Sequence, residues 1–195
     1  MEKSTKIILA AGATTAIVVG GIVIYKKRHE IFDQVKMITT KNYFTINEMI
    51  ASETAKKQKI DNTPSEAVKA NLQALITNVL NPAREIYGRP ITVSSGYRCP
   101  ELNKAVGGVS TSQHVTGHAA DLVPATANGS IAEIFAACVA VGKFDQLIIE
   151  QNSKGTKWVH VSYDPTKNRH QMLSYLATRE PKYITITADQ AKQYV

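Results

Sequence analysis

Two cysteines in 195 residues leave no room for a disulfide framework. Cys99 and Cys138 also form no Cys-x-x-Cys pair, which excludes a thiolate zinc cluster. Cys138 sits in the apolar run Ile131-Ala-Glu-Ile-Phe-Ala-Ala-Cys-Val-Ala and reads as helix packing. Cys99 has no neighbouring histidine to activate it as a nucleophile. No bridge between the two is expected. No repeat and no low-complexity tract is present. No basic stripe interleaved with aromatics appears, so nucleic acid is not the expected partner despite a formal charge of +7. No Glu follows His114, so the helical His-Glu-x-x-His arrangement is missing too.

The positive charge suits approach to anionic wall polymers or membrane surfaces, and it also keeps a chain soluble. From Ile7 to Tyr25 no residue is charged, a length close to the ~20 residues that cross a bilayer. Lys3 and Lys6 precede this run and Lys26-Lys27-Arg28 follow it. The run is long for a signal peptide, and its basic flank resembles a membrane stop. The expectation is a retained single-pass anchor over residues 1–28, a linker over 29–43 and one compact domain over 44–195. The flanking charges do not decide which side of the membrane the domain occupies.

The chemistry concentrates in Ser112-Gln-His114-Val-Thr-Gly117-His118-Ala-Ala-Asp121 and Trp158-Val-His160-Val-Ser162. Zinc takes imidazole nitrogen and carboxylate oxygen, and three protein ligands leave a position open for water, the mark of a catalytic site. His114 and His118 have the four-residue spacing of a helical pair. Gly117 and the β-branched Val115 and Thr116 argue against a helix there. The better pairing is His114 with Asp121 across a glycine-containing turn, Asp121 opening the apolar run Leu122-Val123.

The pattern Ser112-x-His114-x-x-Gly117-x-Ala119-x-Asp121, with Ser95-Gly96-Tyr97-Arg98-Cys99-Pro100 before it and Trp158-Val159-His160 after it, resembles the zinc D-Ala-D-Ala carboxypeptidase family. The likeness runs from about Phe44 to about Tyr163 and is closest to the branch common among phage cell-wall hydrolases. It implies one zinc ion held by His114, Asp121 and His160, and a D,D- or L,D-specific carboxypeptidase or endopeptidase acting on peptidoglycan stem peptides. For that branch a virion or lysis role is the natural reading, and it calls for a catalytic domain that faces the cell wall or sits in a virion membrane.

One departure from relatives matters. Some carry a Glu three residues before the last ligand as general base, where this chain has Lys157; others carry a His where this chain has Trp158. A substitute carboxylate is therefore needed. Residues 144–150 and 157–163 are both strand-like and are joined by turn formers, so a hairpin would bring Glu150 beside Trp158 or His160. Glu150 is the expected base, with Asp145 in reserve. Arg98 can clasp a substrate carboxylate bidentately, or brace the fold through Asp121 or Glu101. Ser112 and Tyr97 are further substrate-binding candidates, Ser112 alternatively satisfying the loop backbone and Tyr97 alternatively packing. Trp158 suits either the cleft or the core.

Periodicity adds a helix over 47–57 capped by Asn47, a helix over 65–87 capped by Ser65 and stopped by Gly88, and a helix over 130–141 capped by Ser130. Strands are expected at 91–94 and 184–187. The fold class is α+β: a small antiparallel sheet carrying the zinc site, flanked by helices, behind an N-terminal transmembrane helix. The expected partners are peptidoglycan or its peptide precursors and a membrane; the chain is expected to act as a monomer. The competing class is a wall-binding or structural module that keeps the fold and the zinc without efficient turnover.

Overall fold

A computed structural model describes residues 41–194 and, ahead of them, the short segments 5–6 and 17–18. The chain divides between Lys41 and Asn42 into two units, the second of which, Asn42–Val195, contains the sheet and its helices.

The N-terminal expectation needs correction. Thr5–Lys6 pairs antiparallel with Ile17–Val18, so those two residues of the apolar run are extended rather than helical. Among the described residues no helix is long and apolar enough to cross a membrane. The single-pass membrane location and the membrane contact inferred from an anchor are therefore withdrawn. The composition accounts for this: Ile, Val and Thr are stiff at χ1, and Gly12, Gly20 and Gly21 weaken a helix further. The rest of that run and the expected linker up to residue 40 lie outside the described residues.

In the second unit, Ile46–Ile50 (α1) starts at a Thr45 capping box closed by Glu48, and Glu53–Gln58 (α2) starts at Ser52. One helix was expected here with Asn47 as cap. The structure breaks it at Ala51-Ser52, because Ser52 turns its hydroxyl to the Ala55 N–H and begins a second helix. Glu66–Leu75 (α3), a π-helical turn at Ile76–Leu80 and Asn81–Tyr87 (α4) form one continuous run from the Ser65 cap to Gly88, whose φ of 72° ends it in the left-handed region. Pro82 explains the wide turn. Its ring would meet the carbonyl four residues back in a regular helix, and the π-turn relieves that contact. Pro100–Ala105 (α5) and Ile131–Val141 (α6) complete the helices.

The strands are Ile91–Ser95 (β1), Ala119–Pro124 (β2), Gln146–Gln151 (β3), Lys157–Ser162 (β4), Gln171–Leu176 (β5) and Tyr183–Thr185 (β6). They make one six-stranded sheet in the order β1-β2-β4-β3-β5-β6. The fold is α+β as expected. The sheet differs from the expectation in one respect: β5 lies parallel to β3, and every other pair is antiparallel.

Side-chain alternation divides the sheet into two faces. Leu122, Leu147, Ile149, Val159 and Val161 are all buried on one face, against Ile134, Phe135 and Cys138 of α6 and the apolar side of the α3–α4 run. On the opposite face, register sets Asp121 directly against His160. The helical layer thus fixes the strands from behind while the chemical groups project from the front.

Candidate metal centre

Three elements deliver the candidate ligands. Asp121 is central in β2 and His160 faces it from β4. His114 arrives on the loop before β2, where Gly117, at φ 75°, turns the chain back into the strand; a Cβ there would also meet Val68 at 2.8 Å. His114 Nε2 lies 3.2 Å from His160 Nδ1 and 3.3 Å from Asp121 Oδ1, and His160 Nδ1 lies 3.0 Å from the same oxygen. All three residues are buried.

The donor set can be tested against a cation. His114 Nδ1 is 2.6 Å from the Gly96 carbonyl, which can only accept, so that nitrogen carries the proton and Nε2 offers its lone pair inward. A carboxylate and a second imidazole nitrogen converge on the same point. Neutral groups of this kind hold at most one proton among them there, whereas a cation satisfies all three. Separations of 3.0–3.3 Å suit a tetrahedron with bonds of ~2.0–2.1 Å. The group fits a single zinc ion.

The electrostatics follow from this close approach. Burial pushes the Asp121 carboxyl up, but the two imidazoles more than offset it and hold the group far below the usual carboxylate range. Burial lowers the His114 pKa, which favours the neutral, ligating form. Burial acts the same way on His160, but the hydrogen bond and charge of Asp121 outweigh it and raise the pKa.

Gly96 belongs to the same machinery, a role that only its position in the Ser95–Pro100 segment hinted at. A Cβ there would stand 2.2 Å from the Met49 carbonyl oxygen, so only glycine lets the loop pass close enough to present its carbonyl to His114. Tyr97 N–H donates to that Met49 oxygen at 2.6 Å, and Arg98 N–H donates to the His114 carbonyl at 3.2 Å. The two loops are therefore tied to each other as well as to the sheet.

The other candidates fall around this centre. Glu150 pairs with Trp158 across β3 and β4, one step along the strands from His160 and on the same face. Burial pushes its carboxyl up to about 7, with His160 and Arg98 opposing and Asp121 adding to the rise. The buried Trp158 indole N–H favours the charged form from nearby, although it completes no hydrogen bond of normal length. Lys157 projects from the opposite face by alternation. Arg98 brings Nη2 to 4.0 Å from Asp121 Oδ2, and its buried Nε has no hydrogen-bond partner among the described residues. Arg98, Tyr97, Ser94 and Ser95 line a cavity of about 450 Å³ that none of the three ligand candidates, nor Glu150, borders.

Ser112 Oγ accepts the His114 N–H at 3.4 Å, so its hydroxyl braces the loop. The Tyr97 phenol is buried, with its pKa raised mainly by that burial. His118 stays outside the triad, its Nδ1 against the Thr116 hydroxyl at 2.9 Å. Asp145 is occupied elsewhere. Arg169 donates to it through Nε at 2.7 Å and Nη2 at 2.5 Å, and Gln113 Nε2 donates at 2.7 Å. Burial alone would raise the Asp145 carboxyl, but these donors bring it down to about 2. Both cysteines are free and buried, and burial lifts the Cys138 thiol to about 12.

Comparison with known proteins agrees with this geometry. A 58-residue stretch is 47% identical to the zinc D-Ala-D-Ala carboxypeptidase of Streptomyces albus G, covering 29% of this chain and 23% of that protein. The chain thus matches about a quarter of that relative's length. The family model for peptidase M15 matches residues 42–162, a stretch that takes in the Gly96 loop and all three ligand candidates. The chain belongs to the peptidase M15 family.

Proposed function

We propose that the chain is a zinc peptidase that hydrolyses peptide bonds in the stem peptides of bacterial peptidoglycan, with a catalytic unit beginning near Phe44. The observation that carries this reading is the convergence of His114, Asp121 and His160 beside a carboxylate whose burial tunes it to about 7. A zinc ion held by these three residues supplies a Lewis acid that acidifies water and polarises an amide carbonyl. Glu150, on the same face as the triad, accepts the proton of the attacking water and returns it to the leaving amine. A carboxyl near neutrality is matched to that double task, since it neither clings to the proton nor refuses it. Arg98 holds a substrate carboxylate beside Asp121, where its guanidinium is largely withdrawn from water and its buried Nε has no partner among the described residues. The zinc-dependent activity named for the Streptomyces relative supports the same assignment.

The test is product analysis by mass spectrometry on defined muropeptides, with wild type and Glu150→Gln. Release of one terminal residue identifies a carboxypeptidase, and internal cleavage an endopeptidase. Glu150→Gln should bind zinc and lose turnover. If wild type with zinc binds muropeptides and releases no amine, the chain is a wall-binding module instead.

A further inference from the structure

The front of the sheet carries a second row of side chains beside the metal row. Register pairs Trp158 with Glu150, Glu150 with Tyr175, and Tyr175 with Tyr183. Four side chains therefore stand in line across four strands, on the face that holds Asp121 and His160. The outer two form an aromatic shelf. The rings of Tyr175 and Tyr183 lie 4.7 Å apart between centroids and are tilted by 46°. Tyr183 is 51% exposed, unusual for a large aromatic side chain on a sheet.

The shelf has a sign. Aromatic faces are negative, and Glu150 stands at its inner end. The Tyr183 phenol has its pKa raised by burial, then by the charges of Glu150 and Tyr175. A cation is the complementary ligand. Neighbouring strands are ~4.8 Å apart, which sets Tyr183 about 10 Å outward from Glu150. That is about three residues of extended chain.

We propose that Tyr175 and Tyr183 form a specificity subsite that takes a primary-ammonium side chain of the substrate, laid across the strands away from the metal triad. This rests on the peptidase reading for what the substrate is, and on the register for where it lies. The ammonium sits over the tyrosine faces, held by their quadrupoles and by the field of Glu150. Trp158 and Glu150 then flank the scissile amide, and the shelf sets how far along the peptide the cut falls.

The experiment uses the full chain with zinc and two peptides identical except for a free or acetylated side-chain amine. Acetylation removes the charge and adds a small neutral acetyl group. On wild type it should raise KM about three- to tenfold with kcat little changed. Tyr183→Leu, which keeps apolar area without a π face, should bind both peptides equally and weakly, and Tyr183→Phe should restore the preference. Equal KM for the two peptides on wild type overturns the subsite. So does a preference that survives Tyr183→Leu, whichever group then holds the cation. Trp158 is the only tryptophan, so its fluorescence reads binding without turnover. If neither peptide is cleaved, a preference for the free amine that Tyr183→Leu abolishes keeps the subsite while the peptidase reading falls. Equal binding removes the subsite whatever the activity.

Discussion

A carboxyl held near neutrality has consequences in both metal states. As general base Glu150 must be ionised, so kcat/KM should rise with pH on the acid side. A bound dication lowers the midpoint below about 7. Glu150→Gln should cut kcat by roughly 10²–10⁴ while zinc affinity stays, which steady-state kinetics and zinc titration together resolve. In the metal-free protein the same carboxyl affects stability. Its folded pKa is raised, so the neutral form is the favoured one, and stability is full below the ordinary value of 4.5 and is lost as pH rises towards 7. Metal-free Glu150→Gln should then exceed wild type by about 1–3 kcal/mol at pH 8 in urea unfolding. Much of this was legible from residue types. His114 and Asp121 stood out because an imidazole and a carboxylate clustered across a glycine turn, and His160 because it lay in a strand pattern downstream. Glu150 followed from a hairpin that the turn formers at 151–156 enforce. Gly96 was not legible as a support for His114, because its contribution is a carbonyl that any residue possesses; what needs glycine is the close approach of Met49.

At the scale of elements, two ties hold the His114 loop in place. Gly96→Ala should shift the loop off Met49, costing about 1–3 kcal/mol of stability and weakening zinc binding as the Gly96–His114 contact opens. Isothermal titration on the folded variant separates the two effects. The second tie is Asp145, which joins Gln113, next to His114, to Arg169 ahead of β5. Its folded pKa is depressed, so its stabilisation is present above the ordinary 3.8 and is lost as pH falls towards about 2. Arg169→Ala should cost about 1–3 kcal/mol at pH 7, discounted because the arginine is half exposed, and the gap from wild type should narrow below the ordinary 3.8 and close as pH falls past about 2 in acid unfolding. Sequence periodicity exposed the long helices because their apolar stripes repeat over several turns. It missed α5, too short to show a period, and β5, whose Gln171-Met-Leu-Ser-Tyr-Leu does not alternate apolar with polar. It joined α1 to α2 because a serine cap in mid-run looks like an ordinary polar residue. Parallel pairing of β5 with β3 leaves no local signal at all, since register across a crossover depends on contacts far apart in sequence.

For the molecule as a whole, one buried face of the sheet supports one chemical face, and the α+β class was readable from the order of elements. The N-terminal run was misread because apolar length alone does not distinguish a membrane helix from strand-forming β-branched sequence. Zinc binds the folded triad and not the dispersed ligands of the unfolded chain. Saturating zinc at ~1,000 times its Kd should therefore add about 4 kcal/mol to folding, seen as a rise in Tm. The central claim is that one zinc ion at this triad enables peptide hydrolysis. Its most direct measurement is a zinc titration of chelator-stripped full-length protein, followed by amine release from a defined stem peptide. Activity should be absent without metal and climb linearly to a plateau at one zinc per chain, and His160→Ala should show neither the tight equivalent nor the activity. Undiminished amine release after complete zinc removal, or full activity in His160→Ala, would contradict it.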